Sequence, residues 1–237
     1  IVTGLNANGF DRNNWVAGGK QGFFEVDNFT SPAYVARLDY RGVPGLRIGG
    51  SFYYCVNTAS NSDKVATYAG VKAPLRIYTV DGQYKNKYVT ARTNFVFGNL
   101  TGATAISNKN KGLSNSSPYT RVVQVAKKAV SYAGEVGVNL RSICNGNKKV
   151  PVIYPFARYE YYNPQEAGEK GQLPMDKRNQ VSMWTAGLNW YALPNLVVKA
   201  DYMTRQIGTG KVFGKGKYNS ENEFSIGIAY VGWFIKK

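Results

Sequence analysis

The segment from Leu196 to Arg205 alternates in character with a strict two-residue period. Successive side chains of a β-strand point to opposite faces, so this segment predicts a strand with one apolar and one charged face. The apolar parity contains Leu196, Val198, Ala200, Tyr202 and Thr204. The other parity contains Val197, Lys199, Asp201, Met203 and Arg205. The medium that contacts each face therefore decides what kind of protein this is.

The same alternation recurs along most of the chain. Further segments with this period are 33–41, 46–55, 89–97, 130–141, 152–162, 183–191 and 224–234. Residues 1–8 have the character of a strand end, and residues 75–83 form a poorer strand. In the poorer strand the parity slips between Arg76 and Asp81, which predicts a β-bulge. The sequence thus predicts an all-β fold with about ten strands.

The connections alternate between two lengths. Short connections near residues 43, 86, 146 and 194 are interleaved with long polar ones at 57–72, 101–118, 163–179 and 207–222. Outer-membrane barrels have short turns at one rim and long loops at the other. Residues 9–30 are predicted to form a loop or an extra hairpin, and residues 119–128 fit a strand or a helical turn. We expect residues 1–237 to form one antiparallel transmembrane β-barrel domain.

The two predicted faces suit lipid and water. The apolar face ends repeatedly in Tyr, Trp and Phe, as at a membrane interface. The opposite face carries isolated arginines, which a water-filled lumen accommodates and a packed core does not. No apolar run approaches the length of a transmembrane helix. The alternative is a soluble β-sandwich binding module, either lectin-like or nucleic-acid binding, which would need no detergent.

The charge balance points to anionic solutes. The chain has 30 Lys and Arg residues against 14 Asp and Glu, a net charge of +16. These charges are dispersed along strands, which favours a lined channel over a nucleic-acid partner. We expect Asp39, Glu135, Glu160 and Asp201 to share the polar face and to cancel part of its field. The predicted pore-lining, anion-binding residues are Arg37, Arg41, Arg47, Arg76, Arg92, Arg141, Arg158, Lys199 and Arg205.

The sequence argues against catalysis. Histidine is absent, which excludes Ser-His-Asp, Cys-His and His-metal chemistry. A site with two carboxylates, Glu160 and Asp201, is the remaining alternative for an outer-membrane enzyme. Cys55 and Cys144 lack metal-ligand spacing, and we expect them to be unpaired or incidentally paired thiols. We predict no enzymatic activity, no cofactor and no metal.

Several short motifs resemble one porin family. The segments 155–160 (PFARYE), 185–191 (TAGLNWY) and 198–202 (VKADY) resemble the C-terminal half of the phosphate-selective porin O and P family, in the variants common in Bacteroidetes-type bacteria. Residues 37–40 (RLDY) followed by 44–49 (PGLRIG) are similar to an earlier hairpin of that family. One departure is the end of the chain: an aromatic residue is usual at the last position, but here Ile235, Lys236 and Lys237 follow Trp233 and Phe234.

The resemblance implies a bacterial outer-membrane barrel of about 16 strands that passes small anions by passive diffusion. It implies a homotrimer in contact with outer-membrane lipid, with phosphate as the candidate anion. Because the chain starts at Ile1 within a strand-like segment, we expect it to be a C-terminal part that supplies about ten of the strands.

Overall fold

Ten β-strands form a single antiparallel sheet in a computed structural model of the chain, which describes residues 1–21, 29–62, 65–111, 124–175, 177–208 and 218–230. The strand order in the sheet is the order in the sequence, so each strand pairs with the next. The strands are β1 (Val2–Thr3), β2 (Pro32–Tyr40), β3 (Leu46–Cys55), β4 (Leu75–Lys85), β5 (Val89–Leu100), β6 (Lys128–Val138), β7 (Val152–Ala167), β8 (Val181–Leu193), β9 (Leu196–Gly208) and β10 (Tyr218–Tyr230). The predicted all-β fold is confirmed and is consistent with a porin β-barrel, although the sheet is not closed.

Helical structure is confined to the connections. Helix α1 spans Ala103–Lys111 between β5 and β6, and helix α2 spans Leu140–Ile143 between β6 and β7. Short 3₁₀ turns lie at Ala7–Gly9, Ala17–Gly19, Thr58–Asn61, Val65–Tyr68 and Lys177–Asn179. Within the described segments, neither α-helix is long and apolar enough to cross a membrane.

The ladders place side chains of like character on the same face of the sheet. Opposite one another on β3 to β7 are Arg47, Gln83, Arg92, Glu135 and Arg158. We call the face with these side chains the inner face. The outer face has apolar and aromatic side chains that are largely exposed: Leu38 is 81% exposed and Ile228 is 73% exposed. Two-residue periodicity in the sequence thus becomes two chemically different surfaces.

The predicted alternation of connection lengths is confirmed except at residues 139–151, where the connection has 13 residues, as many as 168–180 at the long-connection end. The strand pairs β2–β3, β4–β5, β6–β7 and β8–β9 are joined by 41–45, 86–88, 139–151 and 194–195, which lie at one end of the sheet. Long connections lie at the other end. Some boundaries were wrong: β7, β8 and β9 extend beyond their predicted ends, and β10 begins at Tyr218 rather than Phe224. Phe234 and residues 119–123 lie outside the described residues.

Two local predictions were wrong. The ladders of β4 with β3 and β5 are continuous from Leu75, so β4 contains no bulge between Arg76 and Asp81. The register shifts lie elsewhere, at Lys128/Val130 and at Tyr191/Leu193. The predicted loop at 101–118 contains α1, whose sequence of small and polar residues does not stand out as helical.

A small hydrophobic core lies at the long-connection end, where the connections pack on the inner face. We call this assembly of residues 4–21, 56–62, 65–74, 101–111, 124–127 and 168–175 the loop cap. Phe10 and Ile106 of the loop cap and Leu75 and Leu100 of the strands are fully buried together. Burial of each such side chain stabilises the structure by about 2 kcal/mol. The core therefore fixes the loops on the sheet.

Candidate functional site

One ion-pair cluster links β2, β3 and β4 on the inner face. The guanidinium of Arg37 donates to both oxygens of Asp39, at 2.7 and 2.8 Å, and reaches Asp81 at 2.7 Å. Arg47 donates to Asp81 at 3.0 Å, and its Nε lies 3.5 Å from Asp39. Gly49 lies between the two aspartates on β3, and a β-carbon there would be 2.2 Å from Arg37 Nη2. The glycine thus lets Arg37 cross β3 to reach Asp81.

A second cluster links β5, β6 and β7. Arg92 donates to Glu135 at 2.7 Å, and Arg158 donates through Nε to the other Glu135 oxygen at 3.0 Å. Arg158 also lies 3.5 Å from Glu160 on its own strand. The Arg92 side chain remains 63% exposed, so much of its guanidinium faces open space. Each cluster contains two arginines and two carboxylates.

A polar depression of about 530 Å³ separates the clusters. Arg47 and Asp81 lie on one side of it, and Arg92 and Glu160 lie on the other. Neutral Gln83 and the small side chain of Ala133 contribute to its lining. The surface offers guanidinium and amide donors and carboxylate acceptors to a small hydrophilic molecule.

The remaining inner-face candidates differ in their partners. Arg205 of β9 pairs with Glu221 of β10 at 3.2 Å. Lys199 is exposed and, among the described residues, makes no ion pair. Arg41 lies just beyond β2, in the short connection to β3, and is exposed. Five of the nine predicted residues, Arg37, Arg47, Arg92, Arg158 and Arg205, are therefore ion-paired on the inner face.

Two predicted residues do not line the inner face. Arg76 is opposite Tyr54 on β3, and its guanidinium lies 5.4 Å from the centre of that outer-face ring. Since β4 has no bulge, strict alternation places Arg76 outside. Arg141 belongs to helix α2 rather than to a strand, and its Nε donates to the Val150 carbonyl at 2.6 Å. It therefore closes a connection at the short-turn end.

Basic and acidic side chains are equal in number on the inner face, over the parts of β2 to β10 that pair without a register shift. The basic residues are Arg37, Arg47, Lys85, Arg92, Arg158, Lys199 and Arg205. The acidic residues are Asp39, Asp81, Glu135, Glu160, Asp201, Glu221 and Glu223. The expected partial cancellation by carboxylates is thus close to complete on this face, and the basic excess of the chain lies mainly in the connections.

A segment of the loop cap covers part of the inner face. Trp15 has a left-handed backbone (φ 51°), and its indole N–H donates to the Ala126 carbonyl at 2.9 Å. Its ring lies over Gly98 of β5. At the other end of the segment, Asn179 Nδ2 donates to the Arg12 carbonyl at 3.1 Å. We call residues 11–15 the strap, because Trp15 lies against β5 at one end and Asn179 of the β7–β8 connection holds Arg12 near the other.

Side-chain hydrogen bonds of one carboxylate and two amides join the long connections to one another. Glu169 accepts from the Gly102 and Thr104 amides at 3.1 and 3.0 Å and so satisfies free N–H groups at the start of α1. Gln172 donates to the Val125 carbonyl at 2.6 Å. Asn110 donates to the Ala7 and Phe10 carbonyls at 3.3 and 3.0 Å. These bonds order three connections, β1–β2, β5–β6 and β7–β8, as one unit.

The sequence interpretation missed several of these residues. Asp81 was not counted on the inner face because the assumed slip obscured its parity, although Ile77, Thr79, Asp81 and Gln83 keep the period without interruption. Trp15 lies in residues 9–30, for which the sequence predicts a loop or an extra hairpin, and its contact with the sheet is not predicted. The sequence indicates the contact of Trp15 with β5 only indirectly, because a glycine at position 98 within a well-formed strand indicates close approach by another group.

The two cysteines are both free. Cys55 is buried at the end of β3 beneath the loop cap, whereas Cys144 is exposed at the short-turn end. Their separation at opposite ends of the sheet leaves them unpaired, which is one of the two states that the sequence predicted.

The model for the family "phosphate-selective porin O and P" matches residues 30–228, which include all of β2 to β9 and nearly all of β10. Searches of curated proteins and of solved structures found no match to the chain.

Proposed function

Because this chain belongs to the phosphate-selective porin O and P family, we propose that the inner face of its sheet lines a water-filled passage through the bacterial outer membrane. Small hydrophilic solutes cross it by passive diffusion, with a preference for anions. The observation that carries this proposal is the pairing of a continuous polar, ion-paired face with an exposed apolar and aromatic face on the same strands. Lipid suits the outer face, and water suits the inner one.

Closure of the barrel needs further strands. Among the described residues, β10 pairs only with β9, and β2 pairs with β1 over two residues. Unpaired backbone groups cannot face lipid, so strands from the rest of a longer chain would have to pair with these edges. A closed barrel of about 16 strands would leave room for a channel, whereas one of about eight would be filled by side chains. We propose the larger barrel, assembled as a homotrimer as the family resemblance implies.

The anion preference and the candidate solute, phosphate, rest on different support. The net charge of +16 favours anions in general. Phosphate itself rests on the family's description. Membership of a porin family favours a channel over an enzyme, and the inner face offers solvation by ion-paired arginines and carboxylates rather than a reactive centre.

Reconstitution into planar lipid bilayers tests the proposal. The purified protein should form stable open channels, and in a KCl gradient the reversal potential should correspond to faster passage of chloride than of potassium. Competition by phosphate should reduce the chloride current. A lack of channels would contradict the porin function, and a preference for potassium would contradict the anion bias alone. Solubility without detergent would contradict the membrane location.

A further inference from the structure

The polar depression between the two ion-pair clusters is lined by opposite charges in equal number. Its charged side chains are those of Arg47, Arg92 and Arg158 and those of Asp81, Glu135 and Glu160. A solute with a single charge meets attraction and repulsion from groups at comparable distance and gains little from the depression as a whole. A solute that carries both charges can gain from both sets of groups.

The strand register sorts these charges into two neighbouring rows. The arginine row crosses β3 to β7 through Arg47, Gln83, Arg92, Glu135 and Arg158. The carboxylate row lies two residues nearer to the long-connection end and crosses β4 to β7 through Asp81, Asn94, Ala133 and Glu160. Rows two residues apart on antiparallel strands are separated by about 7 Å. All three arginines of the depression are thus in one row, and two of its three carboxylates are in the other.

The carboxylate within the arginine row is already occupied. Arg92 donates to one oxygen of Glu135 at 2.7 Å, and Arg158 donates to the other at 3.0 Å. The Arg92 side chain is nevertheless 63% exposed. Because a guanidinium has several N–H donors, those of Arg92 that do not contact Glu135 are available, within the described part of the chain, to a carboxylate in the depression.

The carboxylate row can accept a cationic group. Glu160 lies 3.5 Å from the Arg158 guanidinium, which is longer than a charge-assisted hydrogen bond. Its side chain is partly exposed, and the neutral side chains of Asn94 and Ala133 separate it from Asp81. A carboxylate has more than one acceptor site, so Glu160 can accept from an ammonium group while it remains near Arg158.

We propose that this depression binds zwitterionic short peptides, with the ammonium group at the carboxylate row and the carboxylate at the arginine row. This inference rests on the proposed porin function and names a solute class for its inner face. The ammonium nitrogen and the carboxylate carbon of an extended dipeptide are about 6 Å apart, which suits the separation of the rows. In a free amino acid they are about 2.5 Å apart, too close to reach both rows. A dipeptide forms charge-assisted hydrogen bonds at both of its ends.

Four small probes, tested on the wild-type protein in planar bilayers, examine the assignment. They are the zwitterion glycylglycine, the anion N-acetylglycylglycine, the cation glycylglycinamide and the shorter zwitterion glycine. At about pH 6, free amino and carboxyl termini are both charged. The measurement is the probe concentration that halves the KCl current at about 0.1 M salt. Glycylglycine should need a concentration about threefold or more below that of each other probe, because it alone pairs with both rows.

Two variants assign the ends of the peptide. Glu160→Gln should remove the advantage of glycylglycine over N-acetylglycylglycine, since the ammonium group loses its partner. Arg92→Gln should remove the advantage over glycylglycinamide, since the carboxylate loses its partner. The matched controls are Glu166→Gln, at a carboxylate of β7 outside the depression, and Arg76→Gln, on the outer face. Both controls should keep the wild-type ranking of the probes.

The ranking on the wild-type protein decides the proposal without any variant. Equal block by N-acetylglycylglycine would make the depression an anion site, and equal block by glycylglycinamide would make it a cation site. Equal block by glycine would show that the spacing of the rows plays no part. Each of these results overturns the inference. Failure of the wild type to conduct would instead contradict the porin function, so the two failures are distinguishable.

Discussion

The indole of Trp15 fills the space that a side chain at position 98 would take: a β-carbon on Gly98 would lie 1.9 Å from Cη2 of the indole. Gly98 is on the inner face of β5, two residues before the strand ends at Leu100, and Trp15 comes from the strap, more than 80 residues earlier. The absence of a side chain on the strand is thus what allows the strap to lie against the wall.

Replacement of Gly98 by alanine should displace the strap. The methyl group cannot be accommodated by a small shift, because three atoms of the six-membered ring of the indole would lie between 1.9 and 3.0 Å from it. We expect a loss of about 1–3 kcal/mol in the stability of the loop cap. Segment 4–21 should be cleaved faster in limited proteolysis, and single-channel conductance should rise because the strap covers part of the inner face.

Gly137→Ala is the matched control for this change. Gly137 is on the inner face of the neighbouring strand β6, where a β-carbon would have its nearest neighbours at an ordinary 3.6 Å. Its proteolysis and conductance should equal those of the wild type. Equal behaviour of Gly98→Ala and Gly137→Ala would show that the strap does not depend on contact with Gly98.

Single neutralisation of Arg47 and of Arg76 should have different effects. Loss of Arg47 leaves Asp39 and Asp81 with Arg37 alone, so Arg47→Gln adds an uncompensated negative charge to the inner face. The chloride-to-potassium permeability ratio should fall about twofold. Arg76→Gln removes the same charge beside Tyr54 on the outer face and should not change the ratio. An effect of Arg76→Gln as large as that of Arg47→Gln would contradict the assigned faces.

Glu169 should stabilise helix α1 from a neighbouring connection. Its carboxylate satisfies the Gly102 and Thr104 amides, so Glu169→Ala should destabilise the first turn by about 1 kcal/mol. Hydrogen exchange of the amides in 102–107 should become about fivefold to tenfold faster. Glu166→Ala is the control, because the hydrogen bonds of Glu166 are to the side chains of Tyr161 and Asn163. Unchanged exchange in Glu169→Ala would contradict the capping role.

The free cysteines offer a test of orientation. Cys144 is exposed at the short-turn end, which faces the periplasm in outer-membrane barrels. A bulky, membrane-impermeant maleimide should therefore fail to label Cys144 in intact cells and should label it in permeabilised cells. Cys55 is buried and should react only after unfolding.

Lys72→Cys, made in a Cys144→Ser background, is the positive control for this labelling. Residue 72 is exposed at the long-connection end and should react in intact cells. Labelling of Cys144 but not of the cysteine at position 72 in intact cells would reverse the orientation.

Much of the sheet could be predicted from the sequence because its determinants are local. Alternation within β3 predicted the bounds Leu46–Cys55 that the structure has. The identity of each face followed from the same period, and five of the nine candidate cations lie ion-paired on the inner face. Arg141 was misplaced because Leu140 continues the alternation of β6, although the backbone turns into α2 after Asn139, whose side chain caps that helix.

The sequence by itself determined the strands, the division of their side chains between an apolar and a polar face, and the alternation of short and long connections. These features are local, because a two-residue period and turn residues act over a few neighbouring positions. Only the tertiary structure decided which charges neutralise one another and what covers the wall. Arg37 and Asp81 are 44 residues apart in the sequence, so their pairing is not a local contact. It depends on the register of three strands, β2, β3 and β4. The contact of Trp15 with Gly98 likewise depends on the folded path of the chain, since no period in the sequence relates a loop to the strand on which it packs.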